Sequence, residues 1–233
     1  MNQRSLEHTL TLNGQAPASS SSALSETLSG LCPGHIFFAY ESIAAVARDA
    51  FTPLEQRIAD QFSDRRKNSF TASRIALKLL AYQLALVDPE REAHTLETVN
   101  PTDRRPVLPG AGGFQASVSH DRRYVIAVAD KRPIGVDIEV ISPKLVRGAH
   151  IFMNQEEQSI IGTSGMDRTT GITLVWTAKE AAAKALNLHL MDAWSSVRLV
   201  KLGSRESRLR YGSGALTATH LLEGDSVISL ISV

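Results

Sequence analysis

Two carboxylates lie close together on an otherwise apolar run of the sequence. Residues 134–141 read IGVDIEVI, so a single residue separates Asp137 from Glu139. In a β-strand successive side chains alternate between faces, which would point both carboxylates one way and the intervening apolar residues the other. Neighbouring carboxylates repel each other unless a positive charge lies between them. This segment alone fits two interpretations equally well, a strand face exposed to solvent or a cation-binding site.

A second polar set follows on a segment with helical character. Trp176, Glu180 and Lys184 are spaced at i, i+4 and i+8, which places them on roughly one face of a helix. One reading is a surface Glu–Lys pair beside a buried Trp176, with Lys179 solvated. In the other reading, Glu180 joins the strand pair, and the three carboxylates supply the hard oxygen ligands that suit Mg²⁺. Lys184 would then act as a point charge on a substrate phosphate.

Groups that could bind anions lie in the middle third of the chain. Residues 64–132 carry 12 basic and 8 acidic side chains, with basic clusters at 65–67, 104–105, 122–123 and 131–132. These clusters are either a solvated surface or a pocket for several phosphates, since Arg offers a fixed fork of donors to oxyanions. Ser119 and His120 are adjacent on an expected strand and should face opposite ways, so a role toward an anion is favoured over a nucleophile pair.

Composition excludes several classes of protein. The 233 residues carry 25 basic and 24 acidic side chains, which argues against binding to nucleic acid or a membrane through bulk charge. The single Cys32 excludes thiolate metal sites and an internal disulfide, and it fits a reducing compartment. The usual glycine-rich nucleotide motifs are missing from the sequence, as are a long apolar run and a contiguous signal core. We expect a monomeric, cytoplasmic protein.

The order of predicted elements indicates an α+β fold. We expect a flexible Ser-rich leader over 1–33 and a strand near Ile36. Helices are predicted from Thr52, from Asn154, over 71–86 and over 172–188, with Glu three residues after both Thr52 and Asn154. Strands are predicted over 115–119, 124–129 and 134–141, and a strand meander from Ser196 to the end. In the 71–86 helix the apolar positions form one stripe, with Arg74 and Lys78 on its flanks.

In this order and spacing, the motifs resemble the signature of the 4′-phosphopantetheinyl transferases. The resemblance rests on Ser119-His120, on residues 135–139, on residues 176–181 and on Lys184. Weaker support comes from Arg105-Pro106-Val107 and from Phe152 followed by Glu156-Glu157. The resemblance extends from about Thr52 to the C-terminus. The length matches the larger, surfactin-synthetase-activating type, which is similar to two copies of a small synthase fold in one chain.

The resemblance implies a fold, a reaction and a set of site residues. The fold would be two similar α+β halves, 34–132 and 133–233, related by a pseudo-two-fold axis, with the metal ligands in the second half. The implied reaction is Mg²⁺-dependent transfer of phosphopantetheine from coenzyme A to a serine of an acyl- or peptidyl-carrier protein. Asp137, Glu139 and Glu180 would hold the metal, while Glu180 and Lys184 would be catalytic. Coenzyme A would be bound by Arg66, Lys67, Arg74, Arg105, Ser119, His120 and Lys184.

The sequence departs from the family pattern without losing an implied metal ligand. Arg104 and Asp121 stand where the family commonly has Gly and Ser, and Ser69 stands where Arg is common. Asn187 replaces a Gly that often ends the last helix, a mild change because Asn tolerates the left-handed conformation. Two alternatives to the transferase remain open. One is a non-catalytic module that binds carrier proteins or coenzyme A, and the other is a Mg²⁺-dependent nucleotide hydrolase.

Overall fold

The chain forms two compact units in a computed structural model that describes residues 2–5, 22–39, 47–103 and 105–233. The N-terminal unit comprises residues Met1–Lys131, and the C-terminal unit comprises residues Arg132–Val233. Each unit combines helices with an antiparallel sheet, so the predicted α+β class is confirmed.

The N-terminal unit places one long helix against a three-stranded sheet. Its helices are α1 (Ser22–Leu31), α2 (Ala47–Ala50), α3 (Pro53–Ala59) and α4 (Asp64–Gln83). Its strands are β1 (Gly34–Ala39), β2 (Gln115–His120) and β3 (Tyr124–Asp130), which pair antiparallel in the order β1-β3-β2. The predicted apolar stripe of α4 packs into the core of this unit through Ile75, Leu79 and Tyr82.

Part of the predicted leader is a helix rather than a flexible segment. Helix α1 buries Leu24 and Leu28, and Cys32 directly after it is also buried. The two leucines are four residues apart and therefore share one helix face, a pattern hidden within a Ser-rich composition. The prediction of a flexible leader is wrong for residues 22–31, and residues 6–21 lie outside the described part of the chain.

Capping explains how two helices of the N-terminal unit begin. Thr52 and Glu55 form the predicted capping box of α3, with Pro53 in the first turn. Helix α4 begins seven residues earlier than predicted, at Asp64 instead of Thr71. Its first six residues, DRRKNS, are polar, so apolar periodicity gives no sign of this part of the helix.

The C-terminal unit wraps a five-stranded antiparallel sheet around a long central helix. Its helices are α5 (Pro143–Phe152), α6 (Gln155–Thr163), α7 (Arg168–Leu186) and α8 (Leu190–Ser196). Its strands are β4 (Ile134–Val140), β5 (Val197–Lys201), β6 (Glu206–Tyr211), β7 (Gly214–Glu223) and β8 (Ser226–Ser232). The sheet order is β4-β8-β7-β6-β5, and α7 packs on β4 and β8. The predicted meander is therefore confirmed.

The ends of the C-terminal helices follow local sequence signals. Asn154 and Glu157 form the second predicted capping box, at the start of α6. Asn187 ends α7 with φ of 53°, so it takes the left-handed conformation expected of it. Among the helices that the structure describes, none has the length and apolar character needed to cross a membrane.

Both units contain the same buried ion pair. In the N-terminal unit Lys78 Nζ on α4 lies 2.6 Å from Glu55 Oε2, and in the C-terminal unit Lys179 Nζ on α7 lies 2.8 Å from Glu157 Oε1. Both lysine side chains are fully buried, so the expectations of a flanking Lys78 and a solvated Lys179 are wrong. In each pair the glutamate also closes a capping box, which ties the long helix to the start of a short one.

Candidate functional site

A glycine on β4 allows α7 to lie in direct contact with this strand. A Cβ atom on Gly135 would come within 1.9 Å of the Ala181 carbonyl oxygen and 2.6 Å of the Ala185 backbone nitrogen. Only glycine leaves room for such a close approach of helix backbone to strand backbone. Glu180 and Lys184 each precede one of these contact residues, so the close approach brings both side chains to the strand.

The strand carries its two carboxylates as the alternation predicted. Val136 and Ile138 are fully buried on one face, while Asp137 and Glu139 occupy alternate positions on the other. Asp137 is 4% exposed, and Glu139 is partly exposed near the end of the strand. The strand therefore presents one deeply buried and one more accessible carboxylate toward the same side.

Lys184 supplies a positive charge at the buried carboxylate. Its Nζ donates hydrogen bonds to Asp137 Oδ1 and to the Val136 carbonyl oxygen, each at 2.8 Å. The lysine side chain is 31% exposed, whereas that of Asp137 is 5% exposed. The ammonium group is therefore hydrogen-bonded to β4, and the partly exposed side chain remains accessible to a ligand.

Glu180 lies within the electrostatic reach of both strand carboxylates. Burial raises the pKa of Glu180 to about 8, and the negative charges of Asp137 and Glu139 add to this effect, while Lys184 opposes it. A carboxyl group crowded by like charges keeps its proton more readily. The structure thus brings Asp137, Glu139, Glu180 and Lys184 into one electrostatically linked group.

The carboxylates are engaged within the protein. Among the described residues, no three His, Cys, Asp or Glu side chains form a group arranged to hold a metal ion. Asp137 accepts from Lys184, and Glu139 Oε1 accepts from the Val140 backbone N–H at 3.1 Å. The donor chemistry nevertheless fits a hard divalent cation, because carboxylate oxygens are the ligands such an ion prefers and its charge would offset the repulsion among them.

Buried contacts on α7 hold the helix face that carries Glu180. Lys179 Nζ donates to the carbonyl oxygens of Phe152 at 2.7 Å and Trp194 at 3.2 Å, in addition to its ion pair. Trp176 packs on the rings of Phe152 and Trp194, with centroid distances of 4.8 and 5.3 Å. These contacts restrict rotation of α7 against the neighbouring helices.

A buried polar chain beneath α7 was not predicted. Ser229, which pairs with Asp137 across the sheet, lies 2.6 Å from Thr177 on α7 and 2.8 Å from His220 Nδ1. His220 Nε2 lies 2.8 Å from Ser207 Oγ, and burial lowers the pKa of His220 to about 4. His220 is therefore neutral near pH 7. The one sequence signal for burial of His220 was its place among the inward-facing positions of a strand with alternating burial.

Several of the predicted anion-binding residues line one cavity in the N-terminal unit. The cavity has a volume of about 530 Å³. Its lining comprises Phe62, Ser63, Arg65, Arg66, Ser69, Phe70, Ser73, Arg74, Val118 and His120. The guanidinium group of Arg66 lies 4.2 Å from the centre of the Phe62 ring. Three arginines and a histidine around an aromatic wall form a receptor suited to a phosphorylated, planar ligand.

Arg74 is the most constrained cation of this cavity. Its Nη1 donates to the Thr98 carbonyl oxygen at 2.8 Å, and its buried Nε has no hydrogen-bond partner among the described residues. Burial lowers the pKa of Arg74 to about 10, which leaves the group charged near pH 7. A buried, charged donor without a partner is costly unless a ligand satisfies it.

Other predicted anion-binding residues lie away from the cavity lining. Lys67 pairs with Asp60 at 2.8 Å, and Arg105 Nη1 donates to Gln115 at 3.2 Å. Ser119 is buried, whereas the adjacent His120 is exposed and lines the cavity, as strand alternation requires. Arg104 lies outside the described residues.

Asp121 has a structural role in a turn. Its Oδ1 accepts hydrogen bonds from the backbone N–H groups of Arg123 at 2.7 Å and Tyr124 at 2.8 Å. These bonds close the turn between β2 and β3. The carboxylate that departs from the family pattern is thus explained by turn formation.

Comparison with known proteins gives a family match within the C-terminal unit. Residues 133–230 match the model of the 4′-phosphopantetheinyl transferase superfamily. A 4′-phosphopantetheinyl transferase from Bacillus subtilis is 32% identical over 100 residues, which cover 41% of this chain and 44% of the relative. The 4′-phosphopantetheinyl transferase Sfp from Bacillus subtilis strain 168 is 33% identical over 100 residues, with the same coverage of 41% and 44%.

A third relative matches over a longer stretch. Enterobactin synthase component D from Salmonella typhi is 27% identical over 165 residues, which cover 66% of this chain and 70% of the relative. The chain thus spans less than half the length of the two Bacillus relatives that it matches.

Proposed function

We propose that this chain transfers the phosphopantetheine arm of coenzyme A to a carrier protein, because residues 133–230 match the model of the 4′-phosphopantetheinyl transferase superfamily. The acceptor is a serine hydroxyl of an acyl- or peptidyl-carrier domain, and the second product is adenosine 3′,5′-bisphosphate. The observation that carries the proposal is the convergence of Glu180 and Lys184 on the carboxylates of β4. The larger, surfactin-synthetase-activating type is part of the same proposal.

Glu180 and Lys184 are the proposed catalytic residues. Glu180 in its ionised form would accept the proton of the attacking serine hydroxyl, and neutralisation of the neighbouring carboxylates would favour that form. Lys184, with its ammonium group on Asp137 and one side open, would stabilise negative charge on the transferred phosphate. The nucleophile belongs to the carrier, so this chain needs none.

Asp137, Glu139 and Glu180 are the proposed ligands of a magnesium ion. Bound there, Mg²⁺ would neutralise the charge of the coenzyme A diphosphate. Lys184 donates to Asp137 and the Val140 backbone N–H donates to Glu139, so these two carboxylates would have to exchange these partners to bind the ion. We place this chemistry in the half formed by residues 133–233.

The cavity of the N-terminal unit is the proposed receptor for the nucleotide end of coenzyme A. Arg66, Arg74 and His120 line it, and the two guanidinium groups offer donors to the 3′-phosphate. Lys67, Arg105 and Ser119 complete the proposed set, and only the sequence resemblance supports these three residues. The half that contributes this receptor is proposed to span residues 34–132.

The client is proposed to be a carrier domain of a biosynthetic synthase. The likeness to enterobactin synthase component D favours peptidyl-carrier domains among the possible acceptors. Acyl-carrier domains of fatty-acid or polyketide synthases are the other acceptors to compare. A cytoplasmic, monomeric enzyme is the form that we propose, in keeping with a single buried cysteine.

The direct test is incubation of the full chain with coenzyme A, Mg²⁺ and a panel of apo carrier proteins. The expected result is a mass gain of one phosphopantetheine arm on the carrier serine, with adenosine 3′,5′-bisphosphate released in equal amount. Asp137→Asn should abolish the mass gain, whereas the surface variant Glu206→Gln should retain it. Absence of any modified carrier across the panel would refute the proposal.

The alternatives give different results in the same assay. A non-catalytic binding module would bind coenzyme A or a carrier without turnover and without dependence on Mg²⁺. A nucleotide hydrolase would release its product when the carrier is omitted. The electrostatic interaction of Glu180 with Asp137, Glu139 and Lys184 favours the transferase over the binding module.

A further inference from the structure

We propose that Glu55, Lys78 and Thr98 are positioning residues that aim Arg74 into the anion-binding cavity of the N-terminal unit. The inference rests on the proposed function of that cavity. None of the three lines the cavity, and none carries a charge exposed to solvent. Their link to the cavity is a continuous chain of buried hydrogen bonds.

The chain begins at the buried ion pair. Lys78 Nζ donates to Glu55 Oε2 at 2.6 Å and also to the Ala50 carbonyl oxygen. The same Glu55 oxygen accepts from the Thr52 backbone N–H at 3.0 Å. Two donors thus hold Glu55 Oε2. The other carboxylate oxygen, Oε1, can therefore accept hydrogen bonds from residues outside the capping box.

Glu55 Oε1 holds Thr98. The Thr98 hydroxyl donates a short hydrogen bond to this oxygen, and the Thr98 backbone N–H donates to it at 3.2 Å. Glu97 Oε1 accepts from the same N–H at 3.1 Å and thereby supports the same peptide. Hydrogen bonds hold both the side chain and the backbone N–H of Thr98, and they therefore fix the direction of its carbonyl group.

The Thr98 carbonyl oxygen then holds Arg74. It accepts from Arg74 Nη1 at 2.8 Å, while the ring of Phe70 lies 5.1 Å from the guanidinium group. One edge of the planar guanidinium is therefore occupied by protein, and Nε remains without a partner among the described residues. A guanidinium fixed in this way presents its remaining donors to an anion without losing rotational freedom on binding.

The C-terminal unit supplies a matched control. Its pair of Lys179 and Glu157 is equally buried, closes an equivalent capping box, and also holds a backbone N–H of a following segment, that of Leu199 at 2.8 Å. Among the residues that the structure describes, no arginine side chain donates to the Leu199 carbonyl oxygen. Loss of this pair should therefore destabilise the protein without a specific effect on the cavity.

The test measures how strongly the full chain prefers coenzyme A to 3′-dephospho-coenzyme A, by calorimetric titration of each ligand. The wild-type protein should prefer coenzyme A, because only this ligand carries the 3′-phosphate. Thr98→Val should lower the preference about tenfold, the size expected for a misaligned charged hydrogen bond. The double variant Glu55→Gln/Lys78→Met should lower it similarly, with little change in the affinity for 3′-dephospho-coenzyme A.

Two further variants separate positioning from general stability. Thr98→Ser keeps the hydroxyl and should keep the preference. Glu157→Gln/Lys179→Met should lose stability and retain the wild-type preference. A wild-type preference in folded Thr98→Val would overturn the inference and leave the proposed function intact. If the wild-type protein itself showed no preference for coenzyme A, the proposed role of the cavity would fail. Thr98→Val removes one hydroxyl, so it carries the test if the double variant does not fold.

Discussion

Replacement of Glu180 by Gln should remove a pH dependence from the stability of the metal-free protein. The folded state holds the pKa of this carboxyl at about 8, against an ordinary value of 4.5. The folded protein therefore keeps a proton that the unfolded chain releases. Stability should consequently fall as the pH rises from about 4.5 to about 8.

The size of the effect follows from this difference in proton affinity. At about 1.4 kcal/mol for each tenfold change, the upper limit is about 5 kcal/mol. Glu180 is partly exposed, so solvent screens the neighbouring charges, and we expect about 2 kcal/mol. Most of this energy reflects burial and the charge of Asp137, the two largest causes of the raised pKa.

Urea unfolding of the metal-free protein at pH 5 and pH 8.5 measures the effect. The wild-type protein should lose about 2 kcal/mol more than Glu180→Gln between these values, since all other titrating groups are common to both. Glu206→Gln, which removes the same charge from an exposed position on β6, should follow the wild-type protein. Equal losses in the wild-type protein and Glu180→Gln would refute the electrostatic link between Glu180 and β4.

Three further predictions concern the supports of the site. Gly135→Ala should cost about 3 kcal/mol or more in urea unfolding, because its Cβ meets helix backbone, whereas Gly162→Ala, which meets nothing within 4 Å, should cost nothing. Lys179→Met should cost about 3–5 kcal/mol because Glu157 keeps a buried, unpaired charge, and adding Glu157→Gln should recover part of that loss. The pKa of His220, lowered to about 4 from 6.5, predicts that stability falls as pH drops between these values. Calorimetric unfolding at pH 7 and pH 4 should show a smaller drop in His220→Gln than in the wild-type protein.

Local sequence rules predicted those parts of the molecule that depend on neighbouring residues. Alternation placed Asp137 and Glu139 on one strand face, and both capping boxes formed as predicted. The left-handed Asn187 followed from the tolerance of Asn for that conformation. These features require only residues within one element or one turn, so the sequence contains all the necessary information.

Features that depend on distant residues were predicted less well. Lysine is almost never fully buried unless it is paired, and the glutamates that pair with Lys78 and Lys179 lie more than 20 residues away in sequence. The chain through His220 and Ser229 requires the pairing of β7 with β8 to be known. Helix α4 begins with polar residues, so no periodic pattern of apolar positions marks its first turns.

The repeated ion pair makes the two units comparable position by position. One residue after the buried lysine stands Leu79 in the first unit and Glu180 in the second. Counting from the glycines at the start of β1 and β4, Ile36 and Phe38 match the two strand acids. The first unit therefore has the same buried ion pair as the second, with apolar side chains at the positions that carry acidic side chains in the second. The same helix-on-strand arrangement is therefore filled by apolar side chains in one unit, and in the other it brings together carboxylates that repel one another.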